Sequence, residues 1–235
     1  MWINNFIALI ITFVVALAWL RLNDFFAMRG WVSSRASRKV IHIGTGPLFV
    51  LCWLLFNEAA SARFLAALVP FAITVQFALV GLGIMKDEST VQGMSRSGDR
   101  REILRGPLYY GIVFVLLTLV FWKESPVGIV ALMMICGGDG LAEILGRKYG
   151  ARKLPWSKTK SWAGSFGFLL GGWLLSVLTL EAFILAGVFA APITAYLLPI
   201  TIISLVSTGV ESLTPNDLDN ITVPAAAVVL GLMLF

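Results

Sequence analysis

An all-α, polytopic integral membrane fold is predicted for this chain, and three observations predict it. Hydrophobic residues fill 58% of its 235 positions and charged residues only 13%, whereas a soluble domain is roughly 45–50% apolar and about a quarter charged. A soluble core of this size cannot hide the excess, and the mean hydropathy of +0.88 points to lipid as the solvent. The apolar residues also come in stretches near the roughly 20 residues that a helix needs to cross a bilayer. Finally, the charges sit in the gaps between those stretches, and their sign is distributed unequally.

The candidate spans, in order, are 2–20, 40–56, 64–85, 107–122, 126–145, 163–180, 182–206 and 221–235. The first lacks a basic leader and a small-residue cleavage site, so it reads as a retained helix rather than a signal peptide. No Arg/Ser-rich transit segment precedes it, which favours a prokaryotic or cyanobacterial type of membrane. The second, fourth and last spans are short. The seventh contains Pro192 and Pro199, so a kinked helix or two shorter ones are both compatible with it; neighbouring helices can satisfy the backbone groups that proline frees. About seven or eight spans result. Repeats, low-complexity tracts and soluble domains are not evident, and residues 1–235 read as a single transmembrane domain.

Numbering the loops alternately places Arg63 and Lys123 on one side, and the other 16 of the 18 lysines and arginines on the opposite side. The positive-inside rule makes the rich side cytoplasmic and the amino terminus external. The formal charge of +5 therefore reads as a topology signal and a site for anions, not as a nucleic-acid surface. Cys52 and Cys136 lie in apolar stretches without metal-ligand spacing and read as small buried hydrophobes.

The densest polar run is Gly137-Gly138-Asp139-Gly140-Leu141-Ala142-Glu143-Ile144-Leu145-Gly146-Arg147-Lys148-Tyr149-Gly150. Asp139 and Glu143 are four residues apart and share a helix face. Ala142, Gly146 and Gly150 form a strip of small residues where a backbone or a ligand can approach. An acid inside a membrane helix is costly and usually functional. Acids suit Mg²⁺, and the bases that follow suit phosphate. An ion pair within or between helices is the competing explanation. The second run, Arg152 to Ser165, gathers Lys158, Lys160, Ser161, Gly164 and Ser165 where a helix begins, which is an anion-site arrangement. Its competing explanation is a basic anchor with Trp156 and Trp162 at the interface. Neither run is a Walker A motif, and the protein-kinase signatures are absent. The Arg96–Arg105 loop reads as a self-paired charge run, with Arg100 through Gly106 as a part of the nucleotide site the alternative. Gly167, Gly171 and Gly172 read as helix packing.

Taken together, these runs resemble the nucleotide-binding signature of the CTP-dependent polyprenol kinases, the family that includes phytol, farnesol and dolichol kinases. The family pattern, D-x-x-A-x-x-x-G, then bases, then K-T-x-x-G-S, falls on Asp139, Ala142, Gly146, Arg147, Lys158 or Lys160, Ser161, Gly164 and Ser165. Lys160, with Ser161 in the threonine position, is the preferred alignment. Arg38-Lys39-Val40-Ile41-His42 resembles the R-K-x-x-H start of phytol kinases, and Glu211 with Asp219-Asn220 and Pro224 resembles a late E…DN…P element.

The resemblance implies transfer of the CTP γ-phosphate to a long-chain prenol such as phytol, in membrane lipid and at the cytoplasmic face. It implies Mg²⁺ held by Asp139 and Asp219. Phosphates would be held by Arg147, Lys158 and Lys160, with further nucleotide contacts at Gly138, Ala142, Gly146, Ser161, Gly164, Ser165 and Asn220. Asp139 and Lys160 would act in catalysis; His42, the single histidine, Glu211 and Asp217 are rivals for the role of base. Two other readings stay open. One is a CTP-dependent cytidylyltransferase of the CDP-diacylglycerol synthase kind. The other is a small anion transporter, although paired broken helices in inverted halves are not evident.

Overall fold

A computed structural model describes residues 4–31, 34–95, 97–215 and 217–235. The chain forms helices α1 (Asn5–Met28), α2 (Ser34–Cys52), α3 (Ala62–Leu82), α4 (Glu88–Met94), α5 (Gly106–Val120), α6 (Pro126–Met133), α7 (Gly140–Tyr149), α8 (Trp162–Leu185), α9 (Ile193–Leu213) and α10 (Asp219–Leu234). The only β contact among the described residues is an isolated bridge between Lys153 and Ser161. Six segments are long and apolar enough to cross a bilayer, and two shorter apolar helices, Lys39–Leu55 and Asp219–Leu234, accompany them. The all-α membrane fold is therefore the observed one.

The middle of the bundle is α6, whose residues from Val127 to Met133 are all buried. A wide π-helical turn, Met134–Asp139, continues it into α7. This combined Pro126–Tyr149 segment packs on α8 along most of its length, while α10 covers α6. Helices α3 and α5 pair with each other, as do α9 and α10, and α1 leans on α2 and α3. Glycines permit the tightest approach: Gly137 and Gly171 face each other backbone to backbone, so a side chain on either would collide with the partner helix. Gly167 and Gly172 lie equally close to Leu141 and Met134, which is the packing role expected of them.

Several polar side chains inside the spans satisfy themselves locally. Thr12, Thr45, Thr118, Ser176 and Thr201 each donate to the carbonyl four residues earlier. In lipid, where water cannot serve, this back-bonding lets a hydroxyl sit at depth. Short α4 lies in the loop after α3 and is capped by Asp87, which accepts from Thr90 N at 3.0 Å. The Thr90 hydroxyl, then Ser89 and the Thr90 amide, hold the Asp87 carboxyl well below the usual carboxylate range.

Several span boundaries differ from expectation, and the first helix runs on to Met28 rather than ending at 20. The sixth span does not end at 180: α8 runs on to Leu185, so Glu181 is helical rather than in a loop. Nothing before Gly187, which adopts φ 77°, breaks the helix. The seventh span is one helix, starting after Pro192, which caps it, and carrying Pro199 inside. At the end of the bundle opposite the basic loops, Lys123 is buried, donates to Phe56 O at 2.7 Å and pairs with Glu58 at 2.8 Å. Arg63 pairs there with Glu124, and Asn5 donates to Asn57 at 2.8 Å. The rings of Trp53 and Trp122, 5.1 Å apart, complete this brace.

Candidate active site

The acids picked out in the sequence converge at one end of the bundle. Asp139 is the last residue of the π-helical turn. The wide turn sets the direction in which its carboxylate leaves the helix, between α2 and α10. On the α2 side, Asp139 Oδ2 lies 3.5 Å from Lys39 Nζ and 3.2 Å from His42 Nε2. Lys39 also pairs with Glu143, which pairs in turn with Arg147 at 2.7 Å, four residues further along α7. Lys39 and His42 are three apart on α2, so one helix face delivers both. His42 Nε2 is buried and, despite its nearness to Asp139, makes no aligned hydrogen bond. Its ring lies 4.7 Å from that of Tyr110 on α5, whose hydroxyl is 3.1 Å from Cys136 Sγ.

A second cluster forms on the α9–α10 side. Lys160 Nζ lies 2.7 Å from Glu211 Oε1 and 3.8 Å from Asp219 Oδ2, and also donates to the Glu211 carbonyl. A folded loop puts it there. Leu154 N donates to Lys160 O at 3.1 Å, Trp162 N donates to Arg152 O at 3.2 Å, and Leu154 plugs the loop with only 4% of its surface exposed. Ser161 then caps α8, its hydroxyl accepting from Gly164 N at 3.2 Å. Lys153, on the outside of the loop, donates to Thr159 O at 3.1 Å.

The two clusters share a small cavity lined by Ile135, Asp139, Phe168, Asp219, Asn220 and Val223. Asp139 and Asp219, distant in sequence, thus face one space. Among the described residues no group of three or more His, Cys, Asp or Glu side chains stands ready as a metal cage. Two carboxylates on one cavity do fit Mg²⁺, which commonly takes one or two carboxylates and completes its shell with water and substrate phosphates.

The other expected residues fall into three groups. Ala142, Gly146 and Gly164 meet one another where α7 crosses α8, and Gly138 lies under the Phe168 ring; all four line a helix contact beside the cavity. Ser165 Oγ is buried without a hydrogen-bond partner among the described residues. Lys158 is exposed at the loop tip, and Arg147 leaves 52% of its side chain exposed. In the loop before α5, Arg100 folds over Gly83 rather than entering the site, and Gly106 abuts Asp217 and Asn220. Arg96 lies outside the described residues, as does the side chain of Arg38. Lys39, part of the R-K-x-x-H element but expected to carry no role in the site, touches both Asp139 and Glu143.

Several curated proteins are similar to this chain over most of its length. The probable phytol kinase, chloroplastic, of Triticum aestivum is 43% identical over 217 residues, 92% of this chain and 72% of the relative. The farnesol kinase, chloroplastic, of Arabidopsis thaliana is 39% identical over 96% of this chain and 74% of its own length. Phytol kinase 1, chloroplastic, of the same plant is 37% identical over 88% and 69%. These names place the relatives in chloroplasts, which runs against the expectation of a prokaryotic type of membrane. No protein-family model matches the chain. No solved structure gives a significant match.

Proposed function

Since the chain belongs to the phytol and farnesol kinase family and is a prenol kinase, we propose that its phosphate donor is CTP, that its acceptor is a long-chain prenol such as phytol, and that the reaction runs at the cytoplasmic membrane face with Mg²⁺. The observation that carries this reading is the pair of carboxylates, Asp139 and Asp219, on one cavity, with a lysine beside each. Phosphoryl transfer asks for charge neutralisation and in-line positioning more than for covalent chemistry by the protein. An acid–lysine cavity at the end of an apolar bundle lets a water-borne nucleotide meet a lipid-borne alcohol.

In this reading Asp139 and Asp219 hold the ion, which when bound neutralises charge on the phosphates. Lys160, Lys158 and Arg147 hold phosphate oxygens, and the cap at Ser161 aims the α8 amides the same way. The unpartnered Ser165 hydroxyl is free to donate to a phosphate oxygen. A new bond forms between the prenol oxygen and the γ-phosphorus as the bond to the CDP oxygen breaks. His42 Nε2 takes the alcohol proton, because it makes no aligned hydrogen bond while Glu211, its rival, is engaged by Lys160. Asp139 steadies the imidazolium that results.

The test is purified protein in detergent, given labelled nucleoside triphosphates and a panel of prenols with and without Mg²⁺. Prenyl monophosphate and CDP, formed only with Mg²⁺, are expected. Release of pyrophosphate would instead identify a cytidylyltransferase.

A further inference from the structure

Two lysines flank the cavity, and they are placed alike. On the α9–α10 side, Lys160 lies 2.7 Å from Glu211, which is set back from the cavity, and 3.8 Å from Asp219, which lines it. On the α2 side, Lys39 pairs with Glu143, which is also set back, and lies 3.5 Å from Asp139, which lines the cavity. Both lysines are largely buried, with 15% of the Lys39 side chain exposed and 11% of Lys160. Each lysine therefore has a holding acid of its own and a looser contact with one carboxylate of the proposed ion site. The chemistry above uses Lys160 and leaves Lys39 without a task. A lysine on a membrane helix is costly and usually marks a function. Pairing with Glu143 alone would fasten α2 to α7; the reach to Asp139 goes beyond that.

Resting on the prenol kinase reading above, we infer that Lys39 is a further catalytic residue: it neutralises Asp139 in the free protein and contacts the transferring phosphate from the α2 side once that carboxylate is given over to Mg²⁺. Glu143 is then a positioning residue that keeps Lys39 at the cavity, as Glu211 does for Lys160. The donor count supports this. A lysine ammonium has three donors; one stays with Glu143, and the contact released from Asp139 is left on the cavity side for another anion. The holding acid is itself fixed, since Arg147 pairs with Glu143 Oε1 at 2.7 Å. Position supports it as well. Lys39 stands three residues before His42, about 4.5 Å along the helix axis, on the side away from the end of α2 that leads to Trp53 and the brace. With His42 taking the alcohol proton, Lys39 stands at the level of the phosphoryl group under attack. Charge in that transition state spreads over three equatorial oxygens, and Lys160 meets it from the α9–α10 side only.

The test reads ion binding and turnover separately. Purified full-length protein in detergent, without nucleotide, is titrated with Mn²⁺, and uptake is followed by loss of the free ion's paramagnetic resonance signal. Turnover is measured at saturating Mg²⁺, CTP and phytol. Lys39→Ala should bind Mn²⁺ about tenfold more tightly, because the cation competing for Asp139 is gone, yet turn over about 10²-fold more slowly or worse. Lys39→Arg, which keeps the charge, should recover at least about tenfold of that loss. Glu143→Gln leaves Lys39 to Asp139 alone and should weaken Mn²⁺ binding about tenfold, but change it little when Lys39 is already Ala, since the two act as one unit. Near-normal turnover of Lys39→Ala would overturn the phosphate contact. A parallel fall in Mn²⁺ affinity, turnover and melting temperature would reduce Lys39 to a brace between helices and overturn the inference too. An unmodified protein that phosphorylates phytol but takes up no Mn²⁺ at millimolar ion would overturn the guarding of Asp139 and leave the kinase reading intact. Failure of the unmodified protein to phosphorylate any prenol would overturn both.

Discussion

Lys160 and Lys153 stand seven residues apart in one basic loop, yet the fold gives them different work. Lys160 reaches Glu211 and Asp219, while Lys153 spans the loop to Thr159 O. Lys160→Ala should lower kcat by about 10²-fold or more, the scale of losing a preorganised electrostatic group. Lys153→Ala should cost several-fold at most, through a looser loop. Turnover of CTP with phytol, measured on both after matching detergent stability, decides the point; equal losses would reduce the loop to a diffuse positive field. Asp139→Asn should leave the helix folded and remove most Mg²⁺-dependent turnover, and near-normal activity would return Asp139 to a purely structural ion pair. These residues were legible because an acid inside an apolar helix has to be explained. Their pairing was not. That Lys39 reaches Asp139, 100 residues away, and that Lys160 reaches Glu211, 51 residues away, depends on side chains meeting across elements of the fold.

At the scale of elements, the spans were legible from apolar length alone, and the eight expected segments correspond to six long and two shorter apolar helices. Boundaries were less so, because Glu181 resembles a loop charge whereas the helix ends only at the turn around Gly187. The π-helical turn at Met134–Asp139 was invisible to periodicity. Such turns often mark functional sites. Here one extra residue directs Asp139 towards the cavity. Deleting Gly138 should restore a regular helix and rotate the carboxylate by about 100°. Helix content by circular dichroism should persist, while turnover falls by about 10²-fold or more, as misplacement of a catalytic group implies. Retained turnover would show that the turn is incidental.

For the whole molecule, the asymmetry of 16 bases against two sets the orientation we propose. Trp156, 55% exposed on the basic loop, offers a place to test it. A Trp156→Cys protein in intact cells should resist an impermeant maleimide until the membrane is broken; ready labelling from outside would invert the topology. The brace at the opposite end bears on how the protein moves. Lys123, Glu58, Arg63, Glu124 and the Trp53–Trp122 ring pair fasten the α2–α3 and α5–α6 connections together there. The end that carries the candidate site is held by lysine–carboxylate pairs that a charged ligand can replace. Motion of the bundle on nucleotide binding is then expected to be a pivot about the braced end, as in a pair of tweezers joined at the back. Spin labels at Ile144 and Leu213, both near the catalytic end, should change separation when CTP and Mg²⁺ are added. A pair at Glu58 and Leu185 should not. If the second pair moves as far as the first, the pivot is not there. If it stays fixed, each catalytic cycle is a squeeze of the open jaws, and the tightness of the rear joint sets how far they part to let the product go.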